Sequence, residues 1–316
     1  MAGLNFIFCL ISSFSLIFPA AAHISVRSQV SELPYLVSSP INISGAHDIT
    51  ISGKSITGGA LPAITLTNCY NIHITQNRLG NSSAVGIYLI NCRNIVVDYN
   101  YISNVSSGVY AENSAGGIVV DHNQFKNMQG PMPRGQFVQF NNVNGTGNSI
   151  SYNKGENILG QSNPEDAINL FKSNGTPASP IKVTGNWIRG GGPSRSGGGI
   201  MLGDNGGSYQ VASENILINP GQYGMAIAGG DHISIIGNTI YGKAQDFTNV
   251  GIYILGQAGY RCSNATITQN KVRFMNAKNA ENDRWLGTGE AAPAGWDANT
   301  WGANIDESVL PRTIIR

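Results

Sequence analysis

An all-β chain wound as a right-handed parallel β-helix is the fold class this sequence predicts, and three observations predict it. One phrase recurs, as Gly86-Ile87-Tyr88-Leu89, Gly108-Val109-Tyr110-Ala111, Gly199-Ile200-Met201-Leu202 and Gly251-Ile252-Tyr253-Ile254. A second phrase, apolar-polar-polar-Asn, ends at Asn77, Asn100, Asn123, Asn186, Asn215, Asn238 and Asn270, the first three spaced by 23 residues. Within each unit the apolar residues alternate over short runs, as in a half-buried strand rather than a helix. A recurring unit of this size marks stacked repeats, each too small to bury its apolar face alone.

The elements follow in chain order. Residues 1–22 carry an apolar run from Phe6 to Phe18 and then Pro19-Ala20-Ala21-Ala22. That reads as a secretory signal with a small-residue cleavage site, so the mature chain is expected to begin near His23 and to be secreted. The run is shorter than the ~20 residues a membrane span needs. Residues 23–316 are expected to form one domain. Its roughly nine coils, from about Ile41 to Met275, each consist of short strands separated by Gly, Asn, Asp and Ser where the backbone bends. Stacked asparagines are expected to form a hydrogen-bonded ladder at a spacing of ~4.8 Å. Two bends are long, Gln129–Gly135 and Gly190–Gly199, and long bends on a rigid solenoid are where binding residues gather. Residues 276–316, with Trp285, Trp296 and Trp301, leave the pattern and are expected to form an irregular cap over the last coil, since an open strand edge invites aggregation.

Composition narrows the function. Net charge is +1 and only 12% of residues are charged, which disfavours general nucleic-acid binding. No apolar stretch beyond the signal suggests a membrane partner. Cys69 and Cys92 stand at the same place in successive coils, which suits either a disulfide or two inward thiols. No Cys or His spacing suggests zinc.

Aligning the coils on their recurring strand gives an outward column of Tyr88, Tyr110, Gln139, Asn169, Met201, Ala226 and Tyr253. A second column, three residues on, reads Asn91, Asn113, Asn142, Lys172, Asp204, Gly229 and Gly256. Lys172 and Asp204 are therefore expected to be neighbours on adjacent coils, beside Gln139 and Asn169. The long bends with Arg134 and Arg195 flank them, and Gln222 and Tyr223 stand close by. Read singly, Lys172 and Asp204 form an ordinary surface ion pair worth under ~1 kcal/mol. Taken together, two arginines, a lysine, amides and a tyrosine suit an elongated, anionic, hydroxyl-rich ligand. Glu165 and Asp166 are adjacent, so on a strand they would face opposite ways. Asp166 with Asp204 is the better carboxylate pair and keeps glycoside hydrolysis open.

Four stretches resemble the parallel β-helix polysaccharide lyases of family 31, alginate lyases acting on poly-mannuronate. They are Arg134–Phe140, Glu165–Asn174, Gly190–Asp204 and Asn219–Gly224, and the Gly-Pro-Ser-Arg run inside the third is the most specific. The resemblance covers most of the chain after about Ile41. It implies a lysine and a tyrosine at the site. Lys172 stands where the lysine is expected; Phe137 occupies one place for the tyrosine, and Tyr223 is the other candidate. The implied chemistry is β-elimination: a base removes the C5 proton of a uronate while its carboxylate is neutralised, and the C4 oxygen leaves. Lys172, Arg195 and Tyr223 are the catalytic candidates, and Arg134, Gln139, Asn169, Asp204 and Gln222 the substrate-binding ones. Whether Lys172 is base, acid or charge clamp stays open. No cofactor is expected, although calcium held by Asp166 and Asp204 would be an alternative neutraliser. The expected partner is an anionic polysaccharide met by a monomer. A uronan epimerase or hydrolase on the same scaffold, or a non-catalytic glycan binder, are the competing readings.

Overall fold

In each coil the inward Ile, Leu and Val side chains land on those of the next. Ile64, Ile87, Val109, Val138, Ile168, Ile200, Met225 and Ile252 pair in one unbroken register, all at most 2% exposed. Each fully buried side chain of this kind contributes about 2 kcal/mol through water released from its surface. The computed structural model describes residues 34–315. The expected signal peptide, its cleavage at His23 and the chain as far as Leu33 lie outside the described residues.

Three parallel sheets enclose this core as a right-handed parallel β-helix. Sheet one begins at Leu36–Ser38 and has eleven strands; sheet two begins at Ile41–Ser44 and has ten; sheet three begins at His47–Ser52 and has ten. The chain visits them in that order, coil after coil. Between sheets three and one the asparagines stack as expected. Asn77 Nδ2 donates to Asn100 Oδ1 at 2.9 Å, and the same bond repeats through Asn123, Asn153, Asn186, Asn215, Asn238 and Asn270 to Asn299. Asn153 and Asn299 thus extend the seven-residue ladder at its middle and its end. Each amide also donates to a main-chain carbonyl, as Asn186 does to Ile150 at 2.9 Å. These buried corners therefore leave few polar groups unpaired.

One expectation changes and one open alternative is decided. Residues 276–316 are not wholly irregular, because their first half winds a further coil. Arg284–Leu286 adds to sheet two and Thr300–Trp301 to sheet one, with Asn299 closing the ladder between them. The chain then turns back along the outer face of sheet one, where Leu310, Ile314 and Ile315 pack with Ile218, Trp187 and Tyr241. The decided alternative concerns the cysteines, which take the inward-thiol arrangement. Cys69, Cys92 and Cys262 are all free thiols. Cys69 and Cys92 each point at main-chain carbonyls, 3.3 Å from Thr67 O and Ile90 O respectively.

The coils differ mostly at the corner between sheets one and two. There the chain takes residues 127–137, 157–167, 190–199 and 243–249 to connect strands that earlier coils join in four or five residues, as 219–222 still does. Both long bends seen in the sequence belong to this one corner. They stand beside the outer face of sheet two.

Candidate functional site

The outward column of sheet two follows the expected register. Tyr88, Tyr110, Gln139, Asn169, Met201, Ala226 and Tyr253 are successive cross-strand partners. Tyr110, Gln139 and Asn169 form the floor of a cleft of about 370 Å³, walled by the 127–137 and 157–167 bends.

An ordered chain of amides sets its chemistry. Gln139 Nε2 donates to Phe140 O at 3.2 Å and to Asn169 Oδ1 at 2.9 Å. That fixes which way the Asn169 amide faces: its Nδ2 points at two carboxylates. It donates to Asp166 Oδ2 at 2.8 Å and to Asp204 Oδ2 at 2.9 Å. Asp166 Oδ1 accepts the Tyr223 hydroxyl and, at 3.0 Å, the Gly198 amide. Gly198 has no substitute here, since a Cβ would come 2.6 Å from Tyr223 O. Burial pushes the Asp166 carboxyl up to about 7; Tyr223, Asn169 and Gly198 act against that rise, and the charge of Glu165 adds to it. Asp204 is also raised by burial, with Asn169 opposing. Around neutrality Asp166 therefore exchanges between its protonated and charged forms.

The bend at residues 157–167 changes the reading of Glu165. Off a strand, Glu165 and Asp166 need not diverge, and both line the cleft. Glu165 accepts the hydroxyls of Ser194 and Ser196, each at 2.6 Å, and so fastens the 190–199 bend.

The structure brings Arg134, Gln139, Asn169 and Asp204 to this cleft. Arg134 lies over the Tyr110 ring, 3.9 Å from its centroid. Tyr223 is fully buried beneath, touching the cleft only through Asp166. Lys172 and Asp204 are neighbours on adjacent coils as expected, Lys172 N donating to Asp204 O at 2.9 Å, but a bulge shifts their register and no ion pair among the described residues joins them. Register shifts between Asn169 and Phe171, so that Asp204 opposes Phe171 instead. Gly203 supplies the extra residue at φ +64, and a Cβ there would overlap Gly229 O. The shift carries Asp204 onto the cleft and leaves Lys172 on an exposed corner at φ 48. At that corner Asn91, Asn113, Asn142 and Asn205 also have positive φ, the conformation asparagine tolerates best. Lys172 Nζ sits 5.2 Å from the centroid of Phe171, whose ring lines the cleft, so the amine is at its rim.

Arg195 is exposed and lines a neighbouring cleft across the 190–199 bend, because Ser194 and Ser196 turn toward Glu165 and the residue between them turns away. Gln222 is half-buried, and its main chain ties bends together, donating to Gly197 O at 3.0 Å and accepting from Asn249 N at 2.7 Å. Sequence reasoning did not single out Tyr110 or Asn141, whose Nδ2 donates to the Tyr110 hydroxyl at 2.8 Å. The signal was in the aligned column, where Tyr110 stands next to Gln139. Among the described residues no group of three or more His, Cys, Asp or Glu is arranged to hold a metal. The Asn169 N–H groups also occupy the space between Asp166 and Asp204 that calcium would need.

Comparisons with known proteins agree on the fold. A family model described as a right handed beta helix region matches residues 36–165. No curated protein matches the chain. Among solved structures it is similar to the catalytic unit of a thermostable GH87 alpha-1,3-glucanase from Streptomyces thermodiastaticus, with 14% identity over 73% of this chain and 50% of that one and a TM-score of 0.42. It is similar to a mutant tailspike protein of E. coli bacteriophage HK620 in complex with a pentasaccharide, with 12% identity over 82% and 56% and a TM-score of 0.49. It is also similar to a mannuronic acid specific polysaccharide family 6 lyase from human gut microbiota, with 11% identity over 80% and 77% and a TM-score of 0.44. The chain spans 50% of the glucanase unit and 56% of the tailspike.

Proposed function

We propose that this chain is a secreted polysaccharide lyase that cleaves a uronic-acid polymer, such as poly-mannuronate, by β-elimination. One observation carries the reading: the four stretches that resemble the family 31 lyases, far apart in sequence, converge on a single cleft. Arg134–Phe140 contributes Arg134 and Gln139, and Glu165–Asn174 contributes Asp166, Asn169 and Phe171. Gly190–Asp204 contributes Asp204 and the Gly198 amide, and Asn219–Gly224 contributes Tyr223 beneath Asp166.

The chemistry fits these groups. Arg134 and the protonated carboxyl of the Asp166–Asp204 pair neutralise the substrate carboxylate by preorganised hydrogen bonds, which makes its C5 proton removable. Lys172 at the rim, as the neutral amine, takes that proton, the C–H electrons form the C4–C5 double bond as the C4–O bond breaks, and the Lys172 ammonium passes the proton to the leaving C4 oxygen. Residues 23–316 act as one monomeric unit in this reading, without a metal. Incubation with poly-mannuronate tests it. The expected result is ultraviolet absorbance from the unsaturated uronate at the new chain end.

A specific observation favours a second reading, glycoside hydrolysis. Asp166 Oδ2 and Asp204 Oδ2 share one donor nitrogen and so lie within two hydrogen-bond lengths of each other. Retaining glycosidases hold their carboxyl groups about 5–5.5 Å apart. New reducing ends without ultraviolet absorbance would replace elimination by hydrolysis.

A further inference from the structure

We propose that the second cleft, between the 190–199 and 243–249 bends, is a distal subsite that binds a uronate unit of the same polymer through Arg195. The inference rests on the reading of the substrate as a uronic-acid polymer. The cleft, of about 430 Å³, is lined by Arg195, Pro193, Leu159, Gln245, Asp246 and Phe247.

Three observations point to a ligand. Arg195 is exposed and makes no ion pair among the described residues. A guanidinium without a partner at the mouth of a cleft is suited to a planar carboxylate, which it grips with two parallel hydrogen bonds. Next, Gln245 Nε2 is buried and has no hydrogen-bond partner. Buried amides are almost always satisfied, so rotating this side chain toward an acceptor in the cleft it lines would gain it a hydrogen bond. Its loop is held ready: Thr248 Oγ1 donates to Gln245 O at 2.9 Å and accepts from Gln245 N at 3.0 Å. Third, the Phe247 ring packs over Gly192 and borders the same space, an apolar surface for the face of a sugar ring. Asp246, exposed beside it, accepts sugar hydroxyls and sets the subsite against small anions that lack them.

The bend that separates the clefts serves both. Ser194 and Ser196 are fastened to Glu165 of the first cleft, which leaves Arg195 aimed into the second. A polymer seated in the first cleft therefore meets Arg195 on passing over the bend.

The test is calorimetric binding of a mannuronate hexasaccharide and of its carboxyl-reduced, uncharged counterpart. Lys172→Asn serves as the background to stop turnover, and chromatography checks that the ligand stays whole. If it is still cut, KM for the same ligand takes the place of Kd. In this background Arg195→Ala is expected to weaken the charged hexasaccharide roughly tenfold, the scale of one charge-assisted contact, and to leave the reduced one unchanged. Phe247→Ala is expected to weaken both ligands several-fold. Lys182→Ala, on the exposed face of sheet three, serves as the control and leaves both unchanged. Equal affinity of the parent for the two ligands, or an Arg195→Ala value within twofold of the parent, overturns the subsite. A parent chain, with Lys172 in place, that binds the hexasaccharide but produces no unsaturated uronate from poly-mannuronate would remove the lyase reading and leave the subsite standing.

Discussion

Lys172 is the residue at which chemistry and fold separate most cleanly. Its corner is otherwise an asparagine corner, so Lys172→Asn keeps the backbone at φ 48 unstrained while removing the amine. Turnover is expected to fall by roughly 10²–10⁴, the usual worth of a proton-transfer group, with the melting temperature almost unmoved. A Lys172→Asn protein that cleaves at the parent rate takes Lys172 out of the reaction. Asp166 gives a different signature, in pH. Its carboxyl titrates at about 7 in the fold and at an ordinary 3.8 when unfolded. Between those values the folded state binds the proton more tightly, so this group's contribution favours folding at low pH and is lost as pH rises from about 4 to about 7. Asp166→Asn is expected to flatten that part of the melting-temperature profile. Activity that needs the proton falls above about pH 7, and Tyr223→Phe, which removes a donor to the carboxylate, moves that limb upward. An unmoved limb in the Tyr223→Phe pH–rate profile would show that the titration seen belongs to another group.

Two elements carry more than their size. The bulge at Gly203 delivers Asp204 to the cleft by placing it opposite Phe171. Gly203→Ala forces a side chain against Gly229 O at positive φ, and is expected to cost at least ~2 kcal/mol and to lower activity together with stability. That pairing of losses separates it from Lys172→Asn. The asparagine ladder is the other element. Asn186 accepts from Asn153 N and Nδ2, both at 3.0 Å, and donates to Asn215 Oδ1 and Ile150 O, both at 2.9 Å. Asn186→Ala leaves several buried groups unpaired, at a cost of roughly 3–5 kcal/mol, which thermal unfolding would report as a large drop with the cleft chemistry untouched. A change under ~1 kcal/mol would mean that water replaces the ladder.

Residues 34–315 form a stack whose flank the chain's last residues cover. The returning tail is held to sheet one by Arg189, whose guanidinium donates to Arg312 O at 2.6 Å and Pro311 O at 2.9 Å, and by Lys243 with Glu307 at 2.9 Å. Both polar links are exposed, so the apolar contacts of Leu310, Ile314 and Ile315 do most of the holding. Removing residues 305–316 is expected to cost at most about 4–8 kcal/mol, an upper bound from buried area, and to promote association through the uncovered Trp187 and Tyr241. A truncated chain that melts with the parent would show that the tail only rests on the sheet.

The sequence by itself determined the coil, the ladder and the outward column, because strand period and repeated asparagines are local properties that stacking copies from one coil to the next. Tyr110 could stand beside Gln139, and Gln139 beside Asn169, on spacing alone. The tertiary structure decided what happens where spacing breaks. A single inserted glycine moved Asp204 from Lys172 to Phe171, and no count of residues says which side of the insertion keeps the register. Folding of the 157–167 bend put Glu165 and Asp166 in one cleft, and two serine bonds to Glu165 turned Arg195 into another. Such placements depend on contacts between bends about 30 residues apart in sequence, where each loop's conformation is set by its neighbours above and below rather than by its own residues.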